Sequence, residues 1–291
     1  MIILCGLIAA LGWGVGDLLA RIGGRRIGAF RAVFFAQVTG LVAMTIWLLP
    51  QPAAIVAAAG SASWAAWLAG LAAAPVILLA SYSLFRALTV GVLGVVSPVM
   101  SSYGAITAAL AAASGEALNR GTVLGIALTV AGVALTSTPA RRRAGVPTSA
   151  DPVRGIGWAL VAATAYGVGS WIQGAFAVPE LGSFLPVWLY YATGVLVLVA
   201  AGMKTRQSFR LPKPADWPAV FGGGISSMLA YAAFAIGLAT GRIAEVTVLS
   251  TPSSGIAALL GFAFLGERLA RHQWGGVIAI LLGIALINAG R

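Results

Sequence analysis

Asp17 is the residue with the most chemistry to offer. It is the one acid set well inside an apolar stretch, and it closes the run Gly14-Val15-Gly16-Asp17. A carboxylate in such a setting is costly and marks a substrate, proton or ion site. Arg21 follows four residues later on the same helical face, so an internal ion pair is the competing reading. Catalysis by paired carboxylates needs a second acid sharing a proton, and Asp151 and Asp216 both fall in connections. His272, the sole histidine, lies at a connection too, which leaves a serine–histidine mechanism without a base. No metal-ligand spacing occurs, and no cofactor motif is present. The single cysteine, Cys5, reads as a small apolar packing residue.

Aromatic and hydroxyl side chains form the second group. Trp13 and Tyr166 each lie 11 residues into an apolar stretch, roughly 17 Å deep at helical rise. Tyr103 and Tyr231 also fall near the middle of theirs. Tyr and Trp usually anchor at membrane interfaces; at mid-depth they need a hydrogen-bond partner or a cavity. Pro98 and Pro252 interrupt two further stretches and free carbonyls of the preceding turn. Beside them stand Ser97, Ser101, Ser102, Ser250, Thr251, Ser253 and Ser254. These hydroxyls either re-satisfy the opened backbone or bind a polar ligand, and paired helix breaks in corresponding spans point to a site.

The elements that must position these groups are membrane spans. The chain of 291 residues is 60% hydrophobic and 9% charged, against about 25% charged in an ordinary globular protein. Ten stretches have the length of a spanning helix: 2–19, 30–49, 64–85, 91–113, 121–138, 155–175, 184–201, 217–238, 246–265 and 274–289. Lipid cannot hydrogen-bond an open backbone, so the expected fold class is an all-α membrane protein with ten transmembrane helices. The glycines inside these spans, Gly12, Gly14, Gly16, Gly167, Gly169 and Gly222 to Gly224, serve close helix packing or let helices slide.

The net charge of +11 is distributed by side rather than gathered for nucleic acid. Fifteen Lys and Arg residues flank the odd-numbered connections, among them Arg21, Arg25, Arg26, Arg31, Arg141, Arg142, Arg143 and Lys204, whereas three flank the even side and the C-terminus. The rich side is cytoplasmic by the positive-inside rule. The chain also repeats. Residues 10–17, ALGWGVGD, match 163–170, ATAYGVGS, and residues 113–120, ASGEALNR, match 264–271, FLGERLAR. Five spans per half make the second copy inverted, and inverted repeats place a binding site between the halves near the midplane. The expected division is a first repeat over 1–138, a cytoplasmic linker over 139–154 and a second repeat over 155–291. Glu116 and Glu267, each four residues before an arginine, read as caps or ion pairs at span ends.

Several pieces carry a resemblance. They are YSLFRAL (Tyr82 to Leu88), Ser97-Pro98, GEALNRGTVLG (Gly115 to Gly125) and AGVAL (Ala131 to Leu135), echoed by Tyr231, Phe234, Thr251-Pro252, GERLARHQWGG (Gly266 to Gly276) and GIAL (Gly283 to Leu286). In this order the chain resembles the EamA family of the drug/metabolite transporter superfamily over its whole length. The resemblance implies two inverted five-helix repeats and transport of small metabolites, often export of amino acids or drug-like compounds. The prolines lie 154 residues apart and the Gly-Glu pairs 151, so the matching of the fourth and ninth spans is offset by nearly a turn.

The resulting expectation is an inner-membrane transporter, not an enzyme, that exports a small metabolite such as a neutral or aromatic amino acid. Its substrate contacts would be Trp13, Tyr82, Ser97, Pro98, Tyr103, Tyr166, Tyr231, Pro252, Ser253 and Ser254, with Asp17 the candidate coupling residue. Its partners are the substrate and the lipid bilayer, with no nucleic acid, as a monomer or weak homo-oligomer. Two other classes compete. GVGD is similar to the GxGD signature of intramembrane aspartyl proteases, and a non-transporting sensor or scaffold is the third reading.

Overall fold

The computed structural model describes residues 1–91, 93–116, 120–138, 152–266 and 270–289. Most of the expected linker, with Arg141, Arg142, Arg143 and Asp151, lies outside the described residues, as do Glu267 and Arg268. Among the described residues the fold is helical without strands. In the first half, α1 (Ile2–Ile27), α2 (Ala29–Leu48), a short α3 (Pro52–Ser61) and α4 (Trp64–Val90) lead to α5 (Leu93–Met100), α6 (Tyr103–Ala113) and α7 (Arg120–Ser137). The second half begins with α8 (Pro152–Ile172), which passes through a π-helical turn at Gln173–Ala177 into α9 (Val178–Leu181). It continues with α10 (Phe184–Lys204), α11 (Trp217–Leu238), α12 (Ile243–Ser250), α13 (Ser253–Leu265) and α14 (Arg271–Ala289). Seven helical segments among the described residues are long and apolar enough to cross a membrane: α1, α2, α4, α8 with its continuation, α10, α11, and α12 with α13. The other three stretches expected to span fall on α5 with α6, on α7 and on α14, which are not among these seven. The composition of the chain did not reveal α3 or the π turn.

Polarity is distributed as a bilayer demands. Leu4, Ile46 and Leu196 are 63%, 62% and 71% exposed, while Gln37 and Gln173 are 1% exposed. Lipid solvates the apolar exterior, and polar groups gather inside where they find one another.

Two helices are broken, and the breaks touch. α5 gives way to α6 at Ser101–Ser102, and α12 to α13 at Thr251–Pro252, 150 residues later. In each turn one carbonyl takes both bonds of a hydroxyl residue. The Val99 carbonyl accepts from the Ser102 backbone N–H (3.2 Å) and Oγ (2.8 Å). The Val248 carbonyl accepts from the Thr251 N–H (3.1 Å) and Oγ1 (2.7 Å). Ser101 Oγ then donates to the Thr251 carbonyl at 3.1 Å, joining break to break. The expectation that both prolines mark the breaks holds for Pro252 alone. Pro98 lies within α5, and the turn follows three residues later, where hydroxyls can satisfy the opened carbonyls. The offset of the prolines is thus an offset of sequence, not of the break.

Packing partners match when the halves are exchanged. α1 lies against α11 as α8 lies against α4, α2 against α11 as α10 against α4, and α7 runs along α14. Glycines make these approaches. A Cβ on Gly14 would lie 2.6 Å from Ile256 Cγ2 and 3.1 Å from the Ser253 carbonyl oxygen. A Cβ on Gly167, its repeat mate, would lie 2.7 Å from Ile106 and 3.1 Å from the Tyr103 carbonyl oxygen, 150 residues before those contacts. Gly12, Gly16 and Gly169 are closed in the same way, so packing accounts for these glycines.

Connections of like parity meet at the same end. Arg26 pairs with Asp216 (3.2 Å), Arg31 donates to the Arg210 carbonyl, and His272 Nε2 hydrogen-bonds with the Thr138 carbonyl (2.9 Å). At the other end, Glu180 accepts from the Ser63 backbone N–H (2.6 Å) and Oγ (3.0 Å). There Glu116 reaches a helix of the other half. Its carboxylate accepts from the Ala244 N–H (3.2 Å) and so caps α12 across the repeat interface. Burial of that carboxyl raises its pKa, against the lowering effect of the backbone bonds.

Arg21 bonds to the backbone. It is 7% exposed, and its Nη1 donates to the carbonyls of Leu88 (2.9 Å) and Gly91 (2.6 Å), where α4 ends and carbonyls lack helical partners. Arg25 Nη2 adds a third bond to Gly91 at 3.2 Å. Arg21→Met is expected to cost about 1.5–3 kcal/mol, the range for charged hydrogen bonds. Thermal unfolding in detergent checks this, and a variant that melts with the native protein would contradict it.

Candidate functional site

Between the halves lies a cavity that is partly open to the outside. α1 supplies Trp13, Gly16 and Asp17, and α8 supplies the repeat-equivalent Tyr166 and Ser170. α4 contributes Ser81 and Phe85, one helical turn apart, and α11 contributes Ser227, Tyr231 and Phe234. The broken helices add Ser97, Ser101, Tyr103 and Ser253. α2 and α10 complete the lining with Gln37, Tyr190 and Tyr191.

Of the residues singled out from sequence, Trp13, Asp17, Ser97, Tyr103, Tyr166, Tyr231 and Ser253 are brought together here. Four are not. Tyr82 sits one position from Ser81, about 100° around α4, and its ring meets Trp158 edge-on at 6.5 Å. Ser254 Oγ bonds back to the Thr251 carbonyl at 3.1 Å. Pro252 is buried in the turn, and the Pro98 side chain lies outside the described residues. Gln37, Ser81, Tyr190 and Tyr191 were not picked out from sequence. One signal was available: Tyr190 follows Gln37 by 153 residues, the offset that relates Trp13 to Tyr166 and Asp17 to Ser170.

Rings form the walls. Trp13 packs against Phe234 (centroids 5.2 Å apart) and edge-on to Tyr103 (6.3 Å), which in turn faces Tyr166 (6.2 Å). Tyr190 contacts Tyr191 (4.8 Å) and Tyr231 (5.2 Å). Their hydroxyls are held in place. Ser81 Oγ bridges Tyr166 (2.7 Å) and Tyr190 (2.6 Å), Tyr103 pairs with Ser250 (2.5 Å), and Tyr231 donates to Gln173 Oε1 (2.6 Å). Gln173 stands at the start of the π turn, and such turns recur at functional sites because they re-aim side chains.

Asp17 accepts a hydrogen bond from Ser97 Oγ at 2.9 Å, across the cavity edge from α1 to α5. The hydrogen bonds described for Arg21 go to the end of α4. Among the described residues Asp17 is the sole carboxylate of the lining, which includes no Lys or Arg. The arrangement can bind a small molecule with flat or apolar parts, offer it hydroxyls, and present one acid.

No curated protein matches the chain significantly. One solved structure, described only as the crystal structure of a protein, shares the fold with a TM-score of 0.75 at 18% identity, covering 98% of this chain and 95% of that one. The family model described as the EamA-like transporter family matches residues 1–138 and again 153–289. Two matched repeats, helices suited to a membrane and an apolar exterior agree: the chain is a multi-pass membrane protein and belongs to the EamA-like transporter family.

Proposed function

We propose that the protein is a secondary transporter that exports a small metabolite, with neutral or aromatic amino acids the class its cavity fits best. The observation that carries this reading is the ring- and hydroxyl-lined cavity at the meeting of two broken helices. Rings suit apolar or aromatic side chains, and a lining without Lys or Arg among the described residues disfavours highly charged anions such as nucleotides. Trp13, Ser97, Tyr103, Tyr166, Tyr231 and Ser253 would contact substrate, and Asp17 would couple its movement to protons. In this reading ten spans form two inverted repeats, 1–138 and 155–291, joined by a cytoplasmic linker in the inner membrane. The meeting of like-parity connections at each end supports that topology. Alternating access would rock one repeat against the other around the fixed cavity.

Counterflow of labelled amino acids in proteoliposomes is the test. Exchange of at least one neutral or aromatic amino acid, competed by its unlabelled form, is the expected result. An absence of flux across the panel would overturn the amino-acid assignment.

A further inference from the structure

Gln37 is a polar side chain of the cavity wall that the fold leaves without a well-formed hydrogen bond. It is 1% exposed, and neither Nε2 nor Oε1 makes a hydrogen bond of good geometry, although the Tyr190 hydroxyl lies near enough to interact with the amide. Buried amides are almost always paired, because an unpaired donor or acceptor away from water forfeits its full solvation. The best-formed bonds of the neighbouring hydroxyls go elsewhere: Tyr190 bonds with Ser81, and Tyr231 donates to Gln173. The seat of the amide is itself shaped for it. A Cβ on Gly194 of α10 would lie 2.8 Å from Gln37 Nε2 and 2.9 Å from Cδ, so glycine leaves the amide room to lie against that backbone.

We propose that Gln37 reads the polar head of the substrate and is a specificity-determining residue of this site. An amide offers a donor and an acceptor side by side. Its complement is a ligand group with an acceptor and a donor side by side, as the α-carboxylate and α-ammonium of an amino acid supply. Among the described residues the lining includes no Lys or Arg to receive a carboxylate, which gives the task to uncharged donors such as the Gln37 N–H. The assignment rests on the amino-acid reading above and adds to it the group that selects for an intact zwitterion.

The test uses the full-length protein in detergent and in proteoliposomes, with L-phenylalanine, 2-phenylethylamine and 3-phenylpropionate as probes. The native protein should bind L-phenylalanine at least about tenfold more tightly than either half-analogue, the lower range for a buried group left unpaired. Gln37→Met and Gln37→Leu should melt at or above the native temperature without ligand, since a buried amide without a well-formed bond is gone. Both should also bind L-phenylalanine about tenfold more weakly and lose the discrimination among the three probes. Native-like discrimination in either variant would overturn the assignment alone, as would failure of both to fold, which would make the amide structural. A native protein that binds none of the probes would instead overturn the amino-acid reading, and this assignment with it.

Discussion

Asp17→Asn is expected to cut substrate accumulation driven by a pH gradient by at least about tenfold, on the scale of a charged hydrogen-bonding group. It should leave exchange at equal pH much less affected. Asparagine keeps the shape and can still accept from Ser97 Oγ, which lies 2.9 Å from the native carboxylate. It cannot take up and release a proton. The bonds of Arg21 to the carbonyls at the end of α4 stay in place on substitution. A folding defect is therefore not the expected cause of any loss. Uptake against counterflow in the same proteoliposomes separates the two steps. A variant with the native pH profile would remove Asp17 from coupling and leave facilitated exchange as the mechanism.

Gly14→Val and Gly167→Val should each destabilise the protein by about 1–3 kcal/mol, the usual cost of forcing extra carbons into a packed contact. Even the first added carbon would come within 2.6 Å of Ile256 on one side and 2.7 Å of Ile106 on the other. α1 and α13 would have to separate in one variant, and α8 and α6 in the other. Ser253 and Tyr103, whose carbonyls face these glycines, line the cavity, so transport should fall even in protein that still folds. Gly222→Ala is the control, since its Cβ would meet Leu19 at an ordinary 3.7 Å. Melting in detergent reads the comparison, and valine variants that melt with the control would refute the packing account.

The site was half legible before the fold was known. Trp13, Asp17, Tyr103, Tyr166 and Tyr231 are conspicuous because polar or amphipathic groups at mid-depth in a span require an explanation. Tyr82 was chosen by its motif and misplaced, because one position on a helix turns a side chain about 100°. Gln37 escaped notice for a different reason. An amide in an apolar helix is unremarkable until its neighbours are known to be engaged elsewhere.

What the sequence by itself determined is the membrane class and the doubled frame, because hydrophobic length and repetition act through composition and order alone. Only the tertiary structure decided that the two breaks meet at Ser101 and Thr251, that Arg21 caps α4, that Asp17 meets Ser97, and that Glu116 caps a helix of the other half. Each of these joins residues dozens or more apart in the chain, and hydrogen bonds between them depend on distance and direction. Those quantities exist only once the helices are packed.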